Sequence, residues 1–245
     1  MRREASNRIR FVIEELVPGI LRDSRLFRFL MRLGGGAHVE ALAEFRRRAA
    51  FLTPEEYRAL YAAHPRVHDG TDNSEACIEL IRQNVVGPEV CDVGCGTGYL
   101  ANTLASAPAL KGCRFTGVDF VLGKTQGGAN ISFRECDIMR TPFADGAFDT
   151  VICTHVLEHI LDLRAALAEL RRITRRRLIL VVPREREFEY TFNPHFHFFP
   201  YAHSFLRVLF PIPARHSIQS VGRDFFYVED REPGSVQQSP LAPQQ

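Results

Sequence analysis

The sequence of 245 residues lacks several features that would each indicate a particular class of protein. No apolar run reaches the ~20 residues that a membrane-spanning helix needs, and the first residues (MRRE) do not begin a signal peptide. The six cysteines form no Cys-x-x-Cys pair, so we expect them to be reduced and to act as small apolar side chains. A net charge of only +2 gives no overall field for nucleic acid. We therefore expect a cytoplasmic protein that binds no nucleic acid.

Residues 1–84 carry the spacing of amphipathic helices. Apolar residues recur three and four positions apart from Ile9 to Ile20, which predicts one continuous helix. Helices are also predicted at 26–33, where Gly34-Gly35-Gly36 ends the helix, at 38–51, from Thr53 and at 74–84. Thr53-Pro54-Glu55-Glu56 is typical of a capping box. We expect this region to be a helical cap on the rest of the chain.

From Glu89 onward, strand and helix patterns alternate. Strands are predicted at 89–93, 114–119, 131–136, 148–154, 177–183, 216–220 and 224–229. Helices are predicted at 98–106, at 156–174 with a break near Asp162, and at 201–210. The order predicts an α/β fold: a doubly wound, Rossmann-like, mostly parallel sheet of seven strands. We expect a cofactor-binding domain at 85–231 and a disordered tail at 232–245.

The junction after the first strand, DVGCGTG at 92–98, has a glycine at every second position. A turn of this kind at the carboxyl edge of a parallel sheet lets the backbone approach a ligand closely. Its G-x-G-x-G spacing differs from the G-x-G-x-x-G of dinucleotide-binding proteins, which argues against a nicotinamide oxidoreductase. Asp92 before the loop would repel a phosphate, so the loop suits a cationic ligand without phosphate.

Residues 92–98 resemble the first motif of class I S-adenosylmethionine-dependent methyltransferases. The next three motifs of that family resemble FTGVD at 115–119, ECDI at 135–138 and the segment 142–160. The resemblance implies S-adenosylmethionine as cofactor and S-adenosylhomocysteine as product. It implies that Asp119 binds the ribose, that Asp137 reaches the adenine amino group while Ile138 packs on the ring, and that Asp92 helps to hold the ammonium. The expected cofactor residues are Asp92, Gly94, Cys95, Gly96, Gly98, Asp119, Phe120, Asp137, Ile138 and Thr154.

His155 is the candidate catalytic residue, because it directly follows the strand at 148–154. A histidine there could deprotonate an acceptor hydroxyl near neutral pH. In the alternative interpretation its ring only packs against neighbours. If a helix has begun at His155, then His155, Glu158 and His159 share one face with the spacing of a two-histidine, one-carboxylate metal site. We expect no metal, and Glu158 and His159 as packing residues.

The segment from Phe192 to Leu206 follows the fifth strand, where related enzymes cover the active site. Histidines alternate with phenylalanines there, so an extended chain would present the histidines on one side. The expected acceptor-binding residues are His159, Tyr190, His195 and His197; the alternative is a half-buried loop with surface histidines. The arginines among apolar residues at 22–32 fit a membrane-surface helix, but we favour a helix packed on the domain with a solvated arginine face.

The sequence thus predicts a methyltransferase that acts on a small molecule, with oxygen as the favoured acceptor atom. A sugar or a quinone-like biosynthetic or secondary-metabolite acceptor fits this prediction, while aliphatic nitrogen and carbon acceptors stay open. The alternative is a module that binds S-adenosylmethionine without catalysis and regulates or scaffolds a partner.

Overall fold

A seven-stranded sheet forms the centre of the protein in a computed structural model, which describes residues 12–35, 37–63, 70–122, 125, 127–189 and 194–231. The strands are β1 (Glu89–Val93), β2 (Arg114–Asp119), β3 (Ile131–Glu135), β4 (Phe148–Thr154), β5 (Thr174–Pro183), β6 (His216–Val221) and β7 (Asp224–Asp230). Tyr190, the start of the apolar stripe at Ile9 and the expected disordered tail at 232–245 lie outside the described residues.

The strand order is β3-β2-β1-β4-β5-β7-β6, and β7 runs antiparallel to both of its neighbours. The first five strands are parallel, which confirms the predicted mostly parallel sheet. The chain leaves β1 toward β3 and returns to the other side of β1 with β4. The two central strands therefore flank the switch point, where sheets of this kind bind ligands at their carboxyl edge.

Alternate residues of the central strands enter two apolar layers, one on each face of the sheet. Val151 and Cys153 of β4 face the layer formed by α7 (Leu163–Ile173) and α8 (Ala202–Val208). Ile152 faces the opposite layer, formed by α5 (Glu75–Asn84) and α6 (Tyr99–Ala105). Burial on both faces explains why these strands read as continuous apolar runs in the sequence.

Among the described residues, four α-helices precede α5: α1 (Gly19–Arg22), α2 (Arg25–Gly35), α3 (Ala37–Arg48) and α4 (Pro54–Ala63). The Thr53 backbone N–H donates to Glu56 Oε2 at 2.9 Å and Glu56 N–H donates to Thr53 Oγ1 at 3.2 Å, which confirms the predicted capping box. The prediction of one continuous helix up to Ile20 is wrong. A π-helical turn at Val12–Leu16 ends before Pro18, which cannot donate a backbone hydrogen bond.

α2 ends at Gly35, within Gly34-Gly35-Gly36, as the sequence predicts. Two other elements differ markedly from the sequence prediction. β5 begins at Thr174 rather than at 177. The side chains of Arg175 and Arg177 form ion pairs with Asp149 and Asp230, so the start of the strand is polar and lacks the apolar pattern of a buried strand. The helix expected from 156 is divided into a 3₁₀ turn at Leu157–His159 and α7, which begins after Asp162. The division confirms the predicted break near Asp162.

All six cysteines are free thiols, as predicted. Within the described ranges, every helix is too short or too polar to cross a membrane.

Candidate cofactor and active site

The glycine-rich loop turns sharply out of β1 at the carboxyl edge of the sheet. Gly94, Gly96 and Gly98 all have positive φ, at 77°, 59° and 79°. A Cβ on Gly94 would lie 2.0 Å from Val156 Cγ2, and a Cβ on Gly98 would lie 2.4 Å from Phe133 Cζ. Both the backbone conformation and the space at these two positions therefore require glycine.

Asp92 presents a buried carboxylate just before this loop. The residue is 2% exposed, and its Oδ2 atom has no hydrogen-bond partner among the described residues. Burial and, second, the negative charge of Asp119 raise the pKa of Asp92 to about 7. A buried carboxylate oxygen without a hydrogen-bond partner is costly, and a cationic ligand group supplies that compensation. The site therefore suits a cationic ligand group, and the ammonium role that the resemblance implies for Asp92 stays a prediction.

Asp119 ends β2 and orders the glycine loop. Its Oδ2 accepts a hydrogen bond from Gly96 N–H at 2.7 Å, and its Oδ1 accepts one from Val121 N–H at 3.2 Å. The guanidinium of Arg58 lies over the Phe120 ring, with the Arg58 Cζ atom 4.7 Å from the ring centroid. Asp119 is thus anchored beside the loop, at the position predicted for ribose recognition.

The third motif lies at the end of β3. Asp137 Oδ1 accepts a hydrogen bond from Met139 N–H at 2.8 Å, which fixes the carboxylate in a tight turn. Ile138 is 8% exposed and belongs to the core layer beside α7. Cys95 is also buried, and it follows Gly94 with its backbone N–H bonded to Val118 O at 3.0 Å.

His155 follows β4 and has a φ of +55°, so it occupies the left-handed region. Its backbone N–H donates to Val181 O at 2.9 Å, which extends the pairing with β5 by one bond. A shared helical face of His155, Glu158 and His159 required a helix that begins at His155, and this condition is not met because the 3₁₀ turn begins only at Leu157. A non-glycine residue held in this region is strained, and such strain is common at functional sites.

The His155 ring lies between two carboxylates. Its Nδ1 is 3.7 Å from Glu158 Oε1, and its Nε2 is 3.8 Å from Asp224 Oδ2. Burial would lower the pKa of His155, but the nearby carboxylate of Glu158 and the charges of Asp224 and Asp72 raise it overall. The neighbouring Thr154 Oγ1 accepts a hydrogen bond from Asn73 Nδ2 at 2.9 Å. The two carboxylates hold the ring at the carboxyl edge between β4 and β7.

A second group of histidines lies on the other side of Glu158. The rings of His159 and His195 meet edge to face, with centroids 4.6 Å apart. His195 Nδ1 lies 2.6 Å from Glu185 Oε2, and His195 is buried rather than at the surface. Burial and the charge of His195 lower the pKa of His159 to about 4. The structure thus brings two of the predicted acceptor-binding residues together.

His197 contacts the same region through Nε2, which lies 2.9 Å from Ile160 O. Burial would raise the pKa of Glu158, but the nearby ring of His155 and the charges of His159 and His195 lower it to about 2. Sequence reasoning missed Glu185 and Asp224. The only available signal was that one follows the end of β5 and the other begins β7.

The N-terminal helices contact this edge of the sheet. Tyr57 of α4 donates from its hydroxyl to His159 O at 2.7 Å, and its ring packs with Phe45 and Phe196. Arg58 donates to Phe120 O at 2.9 Å and forms an ion pair with Glu135. One face of α4 therefore spans the distance from the histidine group to the end of β2.

Residues 91–182 match the family model described as a methyltransferase domain. The ubiquinone biosynthesis O-methyltransferase of Chromobacterium violaceum is 32% identical over 117 residues, which are 44% of this chain and 45% of that protein. The demethylmenaquinone methyltransferase of Corynebacterium urealyticum is 33% identical over 91 residues, which are 36% and 38% of the two chains. The alignments thus cover less than half of the length of both relatives.

The crystal structure of the PH0226 protein from Pyrococcus horikoshii superposes with a TM-score of 0.54 at 18% identity, covering 71% of this chain and 99% of that one. This likeness shows that the fold is shared. The order of the strands in the sheet, the glycine loop after β1 and the acidic residues at the strand ends together define a Rossmann-like cofactor-binding domain. The match over 91–182 identifies this region as a methyltransferase domain, of the class I type that uses S-adenosylmethionine as its cofactor.

Proposed function

We propose that this protein transfers a methyl group from S-adenosylmethionine to a hydroxyl oxygen of a small molecule. The observation that carries the proposal is the position of His155. It lies at the carboxyl edge of β4, next to β1 and its glycine loop, with its ring between Glu158 and Asp224. Cofactor loop and candidate base are therefore neighbours at the switch point of the sheet.

Asp92 and the glycine loop hold the amino-acid part of the cofactor in this proposal. The unpartnered Oδ2 of Asp92 accepts from the ammonium, directly or through one water. The backbone at Gly94, Cys95, Gly96 and Gly98 lies along the sulfonium end. Asp119 and Phe120 contact the ribose of the cofactor. Asp137 and Ile138 contact the adenine, and Thr154 contacts the methionine part. Support comes from the motif order and from the anchoring of Asp119 by Gly96.

The reaction is an in-line displacement in which the sulfonium of the cofactor supplies an activated methyl group. The new carbon–oxygen bond forms as the carbon–sulfur bond breaks, and its electron pair stays on sulfur in S-adenosylhomocysteine. His155 accepts the hydroxyl proton, and the carboxylates of Glu158 and Asp224 stabilise the imidazolium that forms. The protein's main task is to orient the two reactants and exclude water.

A quinone-like or similar biosynthetic acceptor is the substrate class that we favour. The ubiquinone biosynthesis O-methyltransferase of C. violaceum supports oxygen as the acceptor atom, through similarity over part of the chain. Residues 1–84 act as a helical cap on the catalytic domain at 85–231, supported by the contacts of Tyr57 and Arg58. His159, His195 and His197 form the wall facing the acceptor, and Tyr190 of the preceding segment is a further candidate.

The test is a search for S-adenosylhomocysteine formation with a panel of hydroxylated aromatic, sugar and polyketide acceptors. Calorimetry on the same preparation measures binding of S-adenosylmethionine, with NAD as the comparison ligand. Methylation at oxygen of any acceptor supports the proposal. Binding of S-adenosylmethionine without product from any acceptor supports the alternative of a non-catalytic regulatory module.

A further inference from the structure

We propose that Glu158, His159 and His195 form a binding site for one divalent transition-metal ion. A carboxylate oxygen and one ring nitrogen of each histidine lie within 4.8 Å of one another. Donor atoms bound to one ion at about 2.0–2.2 Å lie roughly 3.3 Å apart in tetrahedral geometry. Small side-chain rotations therefore bring the three groups to ligand distance. The proposal goes beyond methyl transfer, and two of its ligands, His159 and His195, are residues of the proposed acceptor wall.

Backbone hydrogen bonds hold the two segments that supply these ligands. Glu158 and His159 lie in the 3₁₀ turn after β4, and His195 lies in the loop after β5. The backbone N–H groups of Phe196 and His197 both donate to Glu158 O, at 2.7 and 3.2 Å. The turn and the loop are therefore fixed side by side, although 35 residues of chain separate His159 from Pro194. A site assembled in this way is largely preformed.

Both histidines have the hydrogen-bonding arrangement that is typical of metal ligands. His195 Nδ1 lies 2.6 Å from Glu185 Oε2, and His159 Nδ1 lies 3.3 Å from Pro194 O. A metal-bound histidine usually donates one ring N–H to a carboxylate or a backbone carbonyl, which fixes the ring and its tautomer. The Nδ1 atoms of both rings have such acceptors, so Nε2 is the nitrogen that ligates in this site.

Glu158 provides the independent sign that a cation belongs here. The residue is 1% exposed, its Oε1 faces His155 Nδ1, and its Oε2 is buried with no hydrogen-bond partner among the described residues. An uncompensated carboxylate oxygen in the protein interior is expensive. A metal ion bound to Oε2, between Glu158 and the two imidazoles, removes that cost.

The ligand chemistry selects the class of ion. Two imidazoles and one carboxylate suit zinc, iron, cobalt or nickel, whereas magnesium and calcium prefer oxygen-only sites. Three protein ligands leave at least one coordination position open. His155 is excluded from the ligand set because it lies on the opposite oxygen of Glu158 and has its own carboxylate partner, Asp224.

The experiment uses the full chain without an affinity tag, stripped of metal with a chelator. Cobalt(II) is titrated in, and binding is followed by calorimetry and by visible absorption, which reports a four- or five-coordinate nitrogen-containing site. We expect one ion per chain, displaced by zinc. His195→Ala should weaken binding by about 100-fold, while His197→Ala in the same loop should bind as the unaltered protein does.

Glu158→Gln, which is nearly isosteric, keeps the test decisive if His195→Ala fails to fold, and it should also lose about 100-fold in affinity. The absence of cobalt binding by the unaltered protein would overturn the proposal. Equal affinity in Glu158→Gln and the unaltered protein, or preference for magnesium over cobalt, would overturn it as well. Binding of S-adenosylmethionine by the same samples shows whether the methyltransferase proposal stands independently.

Discussion

Asp119 accepts a hydrogen bond from the backbone N–H of Gly96 at 2.7 Å, so the acidic end of β2 directly positions the glycine loop after β1. Because one carboxylate serves both the loop and the expected ribose contact, its loss affects cofactor binding in two ways. The same carboxylate lies close enough to Asp92 to raise the pKa of that residue. The two acidic groups therefore act together on the ligand site.

Replacement of this carboxylate is the first prediction. Asp119→Ala should weaken binding of S-adenosylmethionine by about 1–3 kcal/mol, because charge-assisted hydrogen bonds are lost. Calorimetry measures the change. Asp145→Ala is the matched control, because the Asp145 side chain is largely exposed and its ion pair with Arg172 lies at the surface. This variant should bind S-adenosylmethionine normally. An Asp119→Ala variant with unaltered affinity would contradict the ribose assignment.

Packing around Gly94 gives the second prediction. Gly94→Ala should lower the free energy of unfolding by about 2 kcal/mol or more, because it combines a positive φ with a clash against Val156. Gly222→Ala has a similar φ of 61° and no atom near the new Cβ, so it should lose only about 1 kcal/mol. Denaturant unfolding of both variants separates strain from crowding, and equal losses would argue against the tight contact.

Protonation of Asp92 gives the third prediction. Its pKa of about 7 is raised above the unfolded value, so the folded protein takes up a proton here below pH 7. The carboxylate form binds an ammonium, so affinity for S-adenosylmethionine should rise between pH 6 and 8, with release of a proton on binding near pH 6.5. Calorimetry in buffers of different ionisation enthalpy measures that release.

Asp92→Asn is the control for this pH dependence. An acid with a raised folded pKa destabilises the fold increasingly as the pH rises toward 7, so the variant should lose that part of the pH dependence of unfolding. Its binding should be weaker and independent of pH over the same range. A pH dependence that survives in Asp92→Asn would assign the proton to another group.

His155 gives the fourth prediction. His155→Asn should lower turnover by about 10²-fold or more at saturating acceptor, with little change in cofactor affinity. Asparagine tolerates the left-handed region, so this substitution keeps the backbone conformation at the position. His203→Ala, at an exposed position of α8, should keep the normal rate. Unchanged turnover in His155→Asn would leave His155 as a packing residue only.

The sequence was most informative where one local signal determined the structure. β1, β2 and β4 begin and end where predicted, because apolar residues buried on both faces are bounded by turns. The capping box at Thr53 and the break near Asp162 depend on contacts within four residues. The arginine-rich start of β5 lacks the apolar pattern, and only its pairing with β4 and the charges of Asp149 and Asp230 make it a strand.

The candidate site was less accessible because its contacts join distant segments. Helical spacing suggested that His155 would share a face with His159, but the left-handed backbone at His155 separates them. His195 takes the place beside His159 instead, held by Glu185. No pattern in a single sequence indicates which carboxylate after β5 meets which histidine, since that depends on how the loop returns to the sheet.

A crystal structure with bound S-adenosylhomocysteine is the most direct test of the central claim. The proposal predicts the amino group within hydrogen-bond distance of Asp92, or one water away, the ribose hydroxyls on Asp119, and the sulfur facing His155. A ligand bound elsewhere, or a glycine loop that stays empty at saturating ligand concentration, would contradict the account.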